Sequence, residues 1–333
     1  MADVNVKRYP MPIPFGWYGV AYSDDLKSGE SRPIKYFGKE MVLFRTESGE
    51  AVVLDAYCPH MGAHLGYGIN AEAGQGGRIE GESIVCPFHA WKFDNRGFCT
   101  DVPYAKNVPP KVRDKQCIKS YHVTEMNQII WVWYHPVEDQ EPLWEVEYNE
   151  EANDPNWSEF EKYEWTIKTH PQEMGENSAD PAHFRYVHGV ATFPQWETKQ
   201  EGHKVHGIQR ADMETPRGTI KGAIYTNNAG PGQTWTRFEG IAETYLNGLI
   251  TPIDDETVHV RFAFSQPLKD GKKPEGGVEA AIIGDIRKQL REDTPVWENK
   301  LYRPLPILCD GDGPINKFRK WYAQFYYDFD GEL

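Results

Sequence analysis

Short strand-forming runs dominate the first part of the chain. Met41–Thr46 and Ala51–Asp55 are two such runs, and the polar, glycine-containing segment Glu47–Glu50 separates them. This arrangement predicts a β-hairpin. Gln128–Tyr134 is rich in β-branched and aromatic residues, which favour strands. We therefore predict that the first part of the chain forms a β-rich domain.

The later part of the chain combines a strand pattern with two helical patterns. Thr257–Ser265 alternates large apolar residues with polar or small ones, which predicts a strand with one buried face. Glu279–Glu292 carries isoleucine and leucine at helical spacing, and Gly313–Asp328 has the aromatic content of a packed terminal helix. These patterns predict an α+β domain in which long helices cover a curved antiparallel sheet.

A change of composition separates the two parts. From Glu138 to Asn156 the chain is acidic, contains prolines and lacks an apolar pattern, which is typical of a connection between domains. A chain of 333 residues is also long enough for two domains with a core in each. We therefore predict a first domain over residues 1–145 and a second over residues 146–333.

Charge and composition exclude several classes of function. The formal net charge is −14 and no basic block occurs, so binding to a nucleic-acid backbone is not expected. No apolar run approaches about 18 residues, and the segment Met1–Pro10 is polar, so we expect neither a membrane span nor a signal peptide. The chain has five cysteines, of which Cys99, Cys117 and Cys309 are scattered, as expected for free thiols in the cytoplasm. The 11 Trp, 18 Tyr and 15 Phe suit either an apolar pocket or a large core.

Four residues form the strongest chemical signal. Cys58 and His60 lie in one short loop, and Cys86 and His89 lie in another. A Rieske-type 2Fe–2S cluster uses two cysteines on one iron and two histidines on the other. A Cys2His2 zinc site is the alternative, but zinc-finger spacing usually groups two cysteines in one loop and two histidines in the other. The two mixed loops therefore favour the Rieske cluster.

A second set of residues has the composition of a mononuclear iron site. His183 and His188 follow Asp180 at offsets of three and eight. Two histidines and one carboxylate are the usual ligands of non-haem iron(II). His188 would lie about 140° from His183 on a regular helix, so the helix must end, or contain a π-like turn, before Gly189. The histidine pair alone is a weak signal, and the Rieske motif in the same chain makes it a strong one.

The carboxylate ligand has to come from further along the chain. Asp293 lies seven residues after Ile286, on the inward face of the predicted helix, where a charged side chain needs a partner such as a metal. Glu292, Asp285 and Asp310 are the alternatives, and surface exposure is the ordinary state of such residues.

These motifs resemble those of a known family. Cys58–Gly66 and Cys86–Asp94 resemble the two cluster-binding loops of Rieske oxygenases, and Glu176–Gly189 resembles the iron-binding segment of Rieske non-haem iron oxygenase terminal components. The resemblance implies an all-β Rieske domain followed by a catalytic domain with a helix-grip-like sheet. It also implies that His183 and His188 bind the catalytic iron, and an acidic position comparable to Asp293 supplies the third ligand in similar oxygenases.

Two further residues take their candidate catalytic roles from this resemblance. In the family, the residue at Asp180 joins the first iron-binding histidine to a Rieske histidine of a neighbouring subunit, which here is His89 of the partner subunit. The alternative for Asp180 is a helix N-cap before Pro181. Asn177 either acts near the iron or makes an ordinary helix hydrogen bond, and the sequence leaves both possibilities open.

The resemblance also carries expectations about reaction and partners. It implies a homotrimer and a separate reductase, with or without a ferredoxin, that supplies electrons from NAD(P)H, since this chain lacks a Gly-x-Gly-x-x-Gly nucleotide-binding motif. The segment Asp312–Tyr326 looks most like the ketosteroid hydroxylase and cholesterol desaturase branch, which implies O2-dependent hydroxylation of a large apolar ring substrate. Desaturation, demethylation and dihydroxylation are the alternatives, as is a pure electron carrier.

One departure from the family pattern lies between the two cluster loops. There are 25 residues between His60 and Cys86, more than the family pattern has. The surplus is predicted to be a loop insertion at residues 71–77, where it would alter the surface that meets a redox partner. His64 lies close to the first loop and is not expected to be a ligand, because four ligands are already present.

Overall fold

Two compact units make up the structure, a computed structural model that describes residues 7–68, 77–189, 195–215, 218–240 and 242–329. One unit is Gly19–Glu145. The other contains the chain from Val146 onward together with Tyr18 and the described residues before it. The predicted insertion at 71–77 lies, except for Gly77, outside the described residues.

The unit Gly19–Glu145 is built from short strands in three small sheets, with strand orders β1-β10-β9, β2-β3-β4 and β5-β6-β7-β8. Its strands are β1 Gly16–Tyr22, from Gly19 onward, and β2 Ser31–Tyr36, β3 Lys39–Arg45, β4 Ala51–Asp55, β5 Ile79–Glu80, β6 Ser83–Val85, β7 Lys92–Phe93, β8 Cys99–Asp101, β9 Val123–Met126 and β10 Ile129–Tyr134. The predicted hairpin is confirmed, since β3 pairs with β4 from Met41↔Asp55 to Arg45↔Ala51.

The predicted cluster loops leave directly from this β framework. The strand β4 leads into the loop of Cys58, and β6 leads into the loop of Cys86. Each loop closes on its own cysteine: the Cys58 N–H donates to the Ala63 carbonyl at 2.9 Å, and the Cys86 N–H donates to the Trp91 carbonyl at 2.8 Å. Both cysteines are buried in the same apolar core as the strands. These backbone hydrogen bonds and the burial of both cysteines hold the two loops on the framework.

A seven-stranded antiparallel sheet forms the centre of the other unit, with strand order β11-β17-β16-β15-β14-β13-β12. The strands are β11 Glu161–Ile167, β12 Gln195–Glu201, β13 Lys204–Thr215, β14 Gly218–Ala229, β15 Gln233–Glu239, β16 Thr244–Pro252 and β17 Val258–Ser265. The helices are α1 Pro171–Glu176, α2 Pro181–Tyr186, α3 Gly277–Asn299 and α4 Ile315–Tyr322. This is the predicted α+β arrangement of a sheet with helices on it.

The long helix α3 lies on one face of the sheet through an apolar stripe. Ile283 packs with Leu246 and Phe264. Two turns later, Leu290 begins a second contact with Val258, in a cluster that also contains Trp297. Residues seven apart lie on nearly the same face of a helix, so this stripe holds α3 along the sheet.

The helices differ in extent from the sequence prediction. The helix α3 continues seven residues beyond Glu292, through Pro295, so the predicted ligand Asp293 lies inside it. Pro295 removes one backbone donor, but buried Trp297 holds the last turn against the core. The predicted terminal helix is shorter, because α4 ends at Tyr322 and a single 3-10 turn follows. No helix in the described part of the chain is long and apolar enough to cross a membrane.

Candidate functional site

The four predicted cluster ligands are brought together in the unit Gly19–Glu145. The Cys58 and Cys86 thiols share a hydrogen bond, which lowers the pKa of Cys86 to about 6 and raises the pKa of Cys58. The rings of His60 and His89 have their centroids 4.7 Å apart. The His60 ring is stacked on Trp91 at 4.7 Å with an interplanar angle of 8°. The loops therefore present two sulfurs and two imidazoles to one region.

Two orphaned nitrogen atoms test whether these residues fit a metal cluster. The Nδ1 atoms of His60 and His89 are buried and have no hydrogen-bond partner among the described residues. A buried polar atom without a partner is costly, and a metal bond would remove that cost. One shared zinc would bring its four ligand atoms to within about 4 Å of one another. A Rieske cluster instead takes two thiolates on one iron and two imidazoles on the other, and the residues present have this donor set.

The predicted mononuclear site gathers in the other unit. Among the described residues, His183, His188 and Asp293 place one ligand atom each within 4.8 Å of one another. The helix α2 ends at Tyr186, so His188 lies beyond the regular helix and its ring approaches that of His183, at 5.3 Å between centroids. The predicted end of the helix before Gly189 is confirmed. Asp285 and Asp310, the alternatives for the carboxylate, do not join this group.

Hydrogen bonds at Nδ1 orient His183 and His188 so that Nε2 of each ring is left for a metal. Nδ1 of His183 donates to the Asp180 carbonyl at 2.5 Å. Nδ1 of His188 donates to Oε2 of Glu292 at 3.0 Å, and its Nε2 lies 3.3 Å from Oδ1 of Asp293. When Nδ1 is a donor, the neutral ring keeps its lone pair on Nε2, which is the form that binds a metal.

The carboxylate of Asp293 is held in a similar way. The Asn177 amide donates to Oδ2 of Asp293 at 3.2 Å. The Trp297 indole N–H in turn donates to the Asn177 carbonyl oxygen at 3.4 Å. Asn177 is therefore a positioning residue for Asp293. The other carboxylate oxygen of Asp293, Oδ1, faces His188. The sequence could not reveal this chain of contacts, because Asn177 directly follows α1 while Asp293 and Trp297 lie on α3, more than a hundred positions further along the chain.

The burial of the site shifts two of its pKa values in opposite directions. Burial lowers the pKa of His183, which favours the neutral imidazole. Burial raises the pKa of Asp293 above its usual range. A buried carboxylate beside neutral imidazoles is unfavourable without a cation, and a divalent metal would supply the missing charge. The donor set of two imidazoles and one carboxylate thus fits iron(II).

Asp180 caps the helix that carries His183. Its Oδ1 accepts hydrogen bonds from the backbone N–H groups of Ala182 at 3.0 Å and His183 at 3.3 Å. Its Oδ2 lies 3.9 Å from Nδ1 of His183. The N-cap alternative is therefore observed within the chain, and it uses one carboxylate oxygen while the other faces the histidine.

Three other residues near the predicted ligands make defined hydrogen bonds. Glu292 was only an alternative for the metal ligand, and the structure places it on the outer nitrogen of His188. His64 accepts a hydrogen bond from the Gly66 N–H, as expected for a residue outside the ligand set. His170 is fully buried and caps α1 through the Gln172 N–H at 3.2 Å. The contact of Glu292 with His188 was not predicted, and the position of Glu292 next to Asp293 is the only signal of it in the sequence.

A cavity of about 260 Å³ opens beside the triad of His183, His188 and Asp293. Its walls are largely apolar and come from the sheet and from α3; they include Leu246, Ile250, Phe262, Ile286, Leu290 and Trp297. Three threonines, Thr226, Thr234 and Thr236, also line it. The cavity is suited to an apolar molecule held against the metal position.

Removal of the carboxylate of Glu292 is expected to weaken metal binding without removing a ligand. Loss of such an outer partner typically costs 10–100-fold in metal affinity, so we expect Glu292→Ala to lower iron(II) affinity at least about tenfold. Anaerobic titration of protein stripped of its mononuclear iron measures this. Asp285→Ala, a carboxylate removal on the same helix, is the control and should bind normally. Equal affinity in both variants would show that Glu292 does not orient His188.

Comparisons with known proteins identify two domains in this chain. Residues 16–122 match the family model of the Rieske [2Fe-2S] domain, and residues 132–326 match the 3-ketosteroid 9α-hydroxylase C-terminal domain. A 3-ketosteroid-9-alpha-monooxygenase oxygenase component of Rhodococcus rhodochrous is 30% identical, covering 98% of this chain and 86% of the relative. Cholesterol 7-desaturase nvd 1 of Ciona intestinalis is 28% identical, covering 95% of this chain and 69% of the relative.

A solved structure gives the same fold at lower identity. The NdmA QL mutant of Pseudomonas putida CBB5 with theobromine superposes with a TM-score of 0.73 at 20% identity, covering 92% of this chain and 89% of the other. The match to the 3-ketosteroid 9α-hydroxylase C-terminal domain alone spans more than half of the chain, and it follows the match to the Rieske domain. This chain belongs to the Rieske non-haem iron oxygenases, as an oxygenase component of the group that shares the 3-ketosteroid 9α-hydroxylase C-terminal domain.

Proposed function

We propose that this oxygenase component hydroxylates a large apolar ring compound of the steroid class. The observation that carries the proposal is the triad of His183, His188 and Asp293 in the wall of an apolar cavity of about 260 Å³. Relatives named for 3-ketosteroid monooxygenation and cholesterol desaturation support the same class of substrate.

In this proposal each site has a distinct cofactor. Cys58, His60, Cys86 and His89 hold a Rieske 2Fe–2S cluster, and His183, His188 and Asp293 hold one iron(II). When bound, the cluster would supply single electrons, and the mononuclear iron would supply dioxygen activation.

The residues of the chain orient and shield the reacting groups. The Asp180 carbonyl and the Glu292 carboxylate keep both imidazole Nε2 atoms directed at the metal position. Asn177 engages Oδ2 of Asp293 and leaves Oδ1 for coordination. Apolar side chains of α3 and the sheet exclude water from the carbon that is oxidised, which limits the loss of reactive oxygen species to solvent.

Electron supply requires partners in this proposal. An oxygenase component depends on a separate reductase, and we propose NAD(P)H as the electron source, with or without a ferredoxin. We also propose a homotrimer in which Asp180 contacts His89 of the partner subunit, because the second carboxylate oxygen of Asp180 is not engaged by the backbone N–H groups of the cap. A ring of subunits would then connect each cluster with a neighbouring iron. Cys99, Cys117 and Cys309, the cysteines outside the cluster, form no disulfide, and a cytoplasmic location, which we also propose, accords with free thiols.

Oxygen uptake with a matched reductase tests the proposed function. A 3-ketosteroid is expected to stimulate oxygen consumption and to leave as a product with one added hydroxyl group, identified by mass spectrometry. A product with two fewer hydrogens would assign desaturation instead. Absence of any steroid-dependent uptake from protein with full iron content would contradict the substrate class.

A further inference from the structure

A second cavity adjoins the one beside the triad. We call the cavity of about 260 Å³ the proximal chamber. The second cavity, here the distal chamber, has a volume of about 100 Å³ and is largely apolar. Ser178, Phe184 and Thr226 line both chambers, so the two are neighbours with a common wall.

The strand register shows that the two chambers have a continuous floor. Thr198 of β12 pairs with Gly207 of β13, which pairs with Thr226 of β14, and Thr226 pairs with Thr236 of β15. The first three line the distal chamber, and Thr226 and Thr236 line the proximal one. This single cross-strand row therefore runs from one chamber into the other.

The next row along the same face repeats the pattern. Gln200 pairs with Val205, Val205 with Asn228, Asn228 with Thr234, and Thr234 with Gly248. Residues two apart on a strand share a face, so both rows lie on the face that forms the floor. Gly248 in turn pairs with Phe262 of β17, which also lines the proximal chamber. From β12 to β17 this floor therefore crosses six neighbouring strands, a width of about 24 Å.

Phe184 lies between the two chambers, and the helix α4 closes the far end of the distal chamber. The Phe184 ring lies 4.2 Å from the ring of His183, between centroids, and it forms part of the wall of both chambers. At the far end, Phe318 and Lys317 of α4 line the distal chamber. The Trp321 indole of the same helix donates to the Gly202 carbonyl at 2.9 Å, which ties α4 to the β12–β13 turn.

We propose that the two chambers form one substrate groove and that the distal chamber binds the end of an elongated substrate remote from the carbon that is oxidised. The inference rests on the proposed function and specifies its substrate: a polycyclic ketone or alcohol that carries a side chain. The floor is longer than a fused four-ring nucleus needs. The largely apolar lining of the distal chamber fits a hydrocarbon side chain, and the side-chain amides of Gln200 and Asn228 are able to hydrogen-bond a carbonyl or hydroxyl on it.

Binding in the distal chamber would act on the reaction through position. Contacts far from the reacting carbon fix the depth to which the substrate enters the proximal chamber. Phe184 lies between the two chambers and contacts the ring of His183. A ligand that spans both chambers is therefore held in a defined position relative to the metal ligands. The distal chamber is thus a specificity-determining site for ligand length.

The test compares two ketosteroids that differ only in the side chain: androst-4-en-3-one, which has none, and cholest-4-en-3-one. Their binding to the holoenzyme is measured by anaerobic titration. Thr198 lies exposed on the edge strand β12, so Thr198→Trp should fill the distal chamber without disturbing the core. We expect the affinity ratio of long to short ligand to fall at least about tenfold. Lys199→Trp places the same ring on the opposite face of the strand and should keep the wild-type ratio.

The outcomes separate the two proposals. If wild-type protein binds neither ketosteroid, the steroid class is wrong and the groove proposal falls with it. If wild-type protein binds both and Thr198→Trp has the same ratio as Lys199→Trp, the distal chamber does not bind substrate, while the proposed function stands. A ratio lowered in Thr198→Trp alone, with normal circular dichroism, supports the groove.

Discussion

His183→Ala is expected to abolish substrate oxidation while the Rieske cluster is retained. The substitution removes one of the three ligand atoms that lie within 4.8 Å of one another. Metal-ion catalysis contributes several kcal/mol to a rate, so turnover should fall at least about a thousandfold. Steroid-dependent oxygen uptake measures the rate, and metal analysis should find the iron of the cluster alone.

The visible spectrum and the matched variant control this experiment. The cluster ligands belong to the other unit, so the Rieske absorption bands should be unchanged in His183→Ala. His206→Ala removes a histidine that bonds Asn227 on the sheet and does not belong to the triad, and it should keep both rate and iron. Undiminished turnover in His183→Ala would overturn the catalytic assignment and leave an electron carrier as the remaining interpretation.

Arg319→Ala is expected to be the most destabilising substitution away from the metal sites. Arg319 of α4 and Glu176 of α1 form a buried two-pronged ion pair, with Nε to Oε2 at 2.7 Å and Nη2 to Oε1 at 2.9 Å. Removal of one partner leaves the other charge buried, which typically costs about 3–5 kcal/mol. The free energy of unfolding, from chemical denaturation, measures the loss.

Two further variants separate charge from packing in this pair. Lys320→Ala removes an exposed cation from the next position and should change the free energy of unfolding by less than about 0.5 kcal/mol. Replacement of both partners, Glu176→Leu with Arg319→Met, should recover much of the lost stability, because no unpaired charge is left buried. If Arg319→Ala is no worse than Lys320→Ala, the pair does not hold α4 on α1.

The ion pair of Arg319 and Glu176 also affects the predicted metal site, because Glu176 is next to a residue of that site. Glu176 is directly followed by Asn177, whose amide engages Asp293. One helical turn earlier on α1, buried Glu173 is paired with Lys300, the C-cap residue of α3. These contacts hold α1 against α3 and α4, so the position of Asn177 depends on charges that do not touch the site.

The order of elements could be predicted because local pattern decides it. The strand at Thr257–Ser265 has a period of two, and the helix around Ile283 has an apolar stripe, so both were visible in the sequence and are present as β17 and α3. The ends of the helices were less predictable. Whether α3 stops at Glu292 or passes Pro295 depends on the burial of Trp297, which only the packed sheet provides.

The ligands of the two predicted metal sites could be predicted from the sequence to different degrees. The residue types and spacing of Cys58, His60, Cys86 and His89 limit the cofactor, because few metals take two thiolates and two imidazoles from two mixed loops. The histidine pair at His183 was ambiguous by itself, since a short spacing between histidines also occurs by chance.

Ligand spacing and hydrophobic period are local properties, so the family, the candidate ligand residues and the succession of a β domain and an α+β domain could be read from the amino-acid sequence. The contact of Glu292 with His188, the contacts of Asn177 with Asp293 and Trp297, and the two neighbouring cavities on the sheet are visible only in the folded chain. Such contacts join residues a hundred positions apart, and their formation depends on packing between helices and strands, which no local pattern encodes.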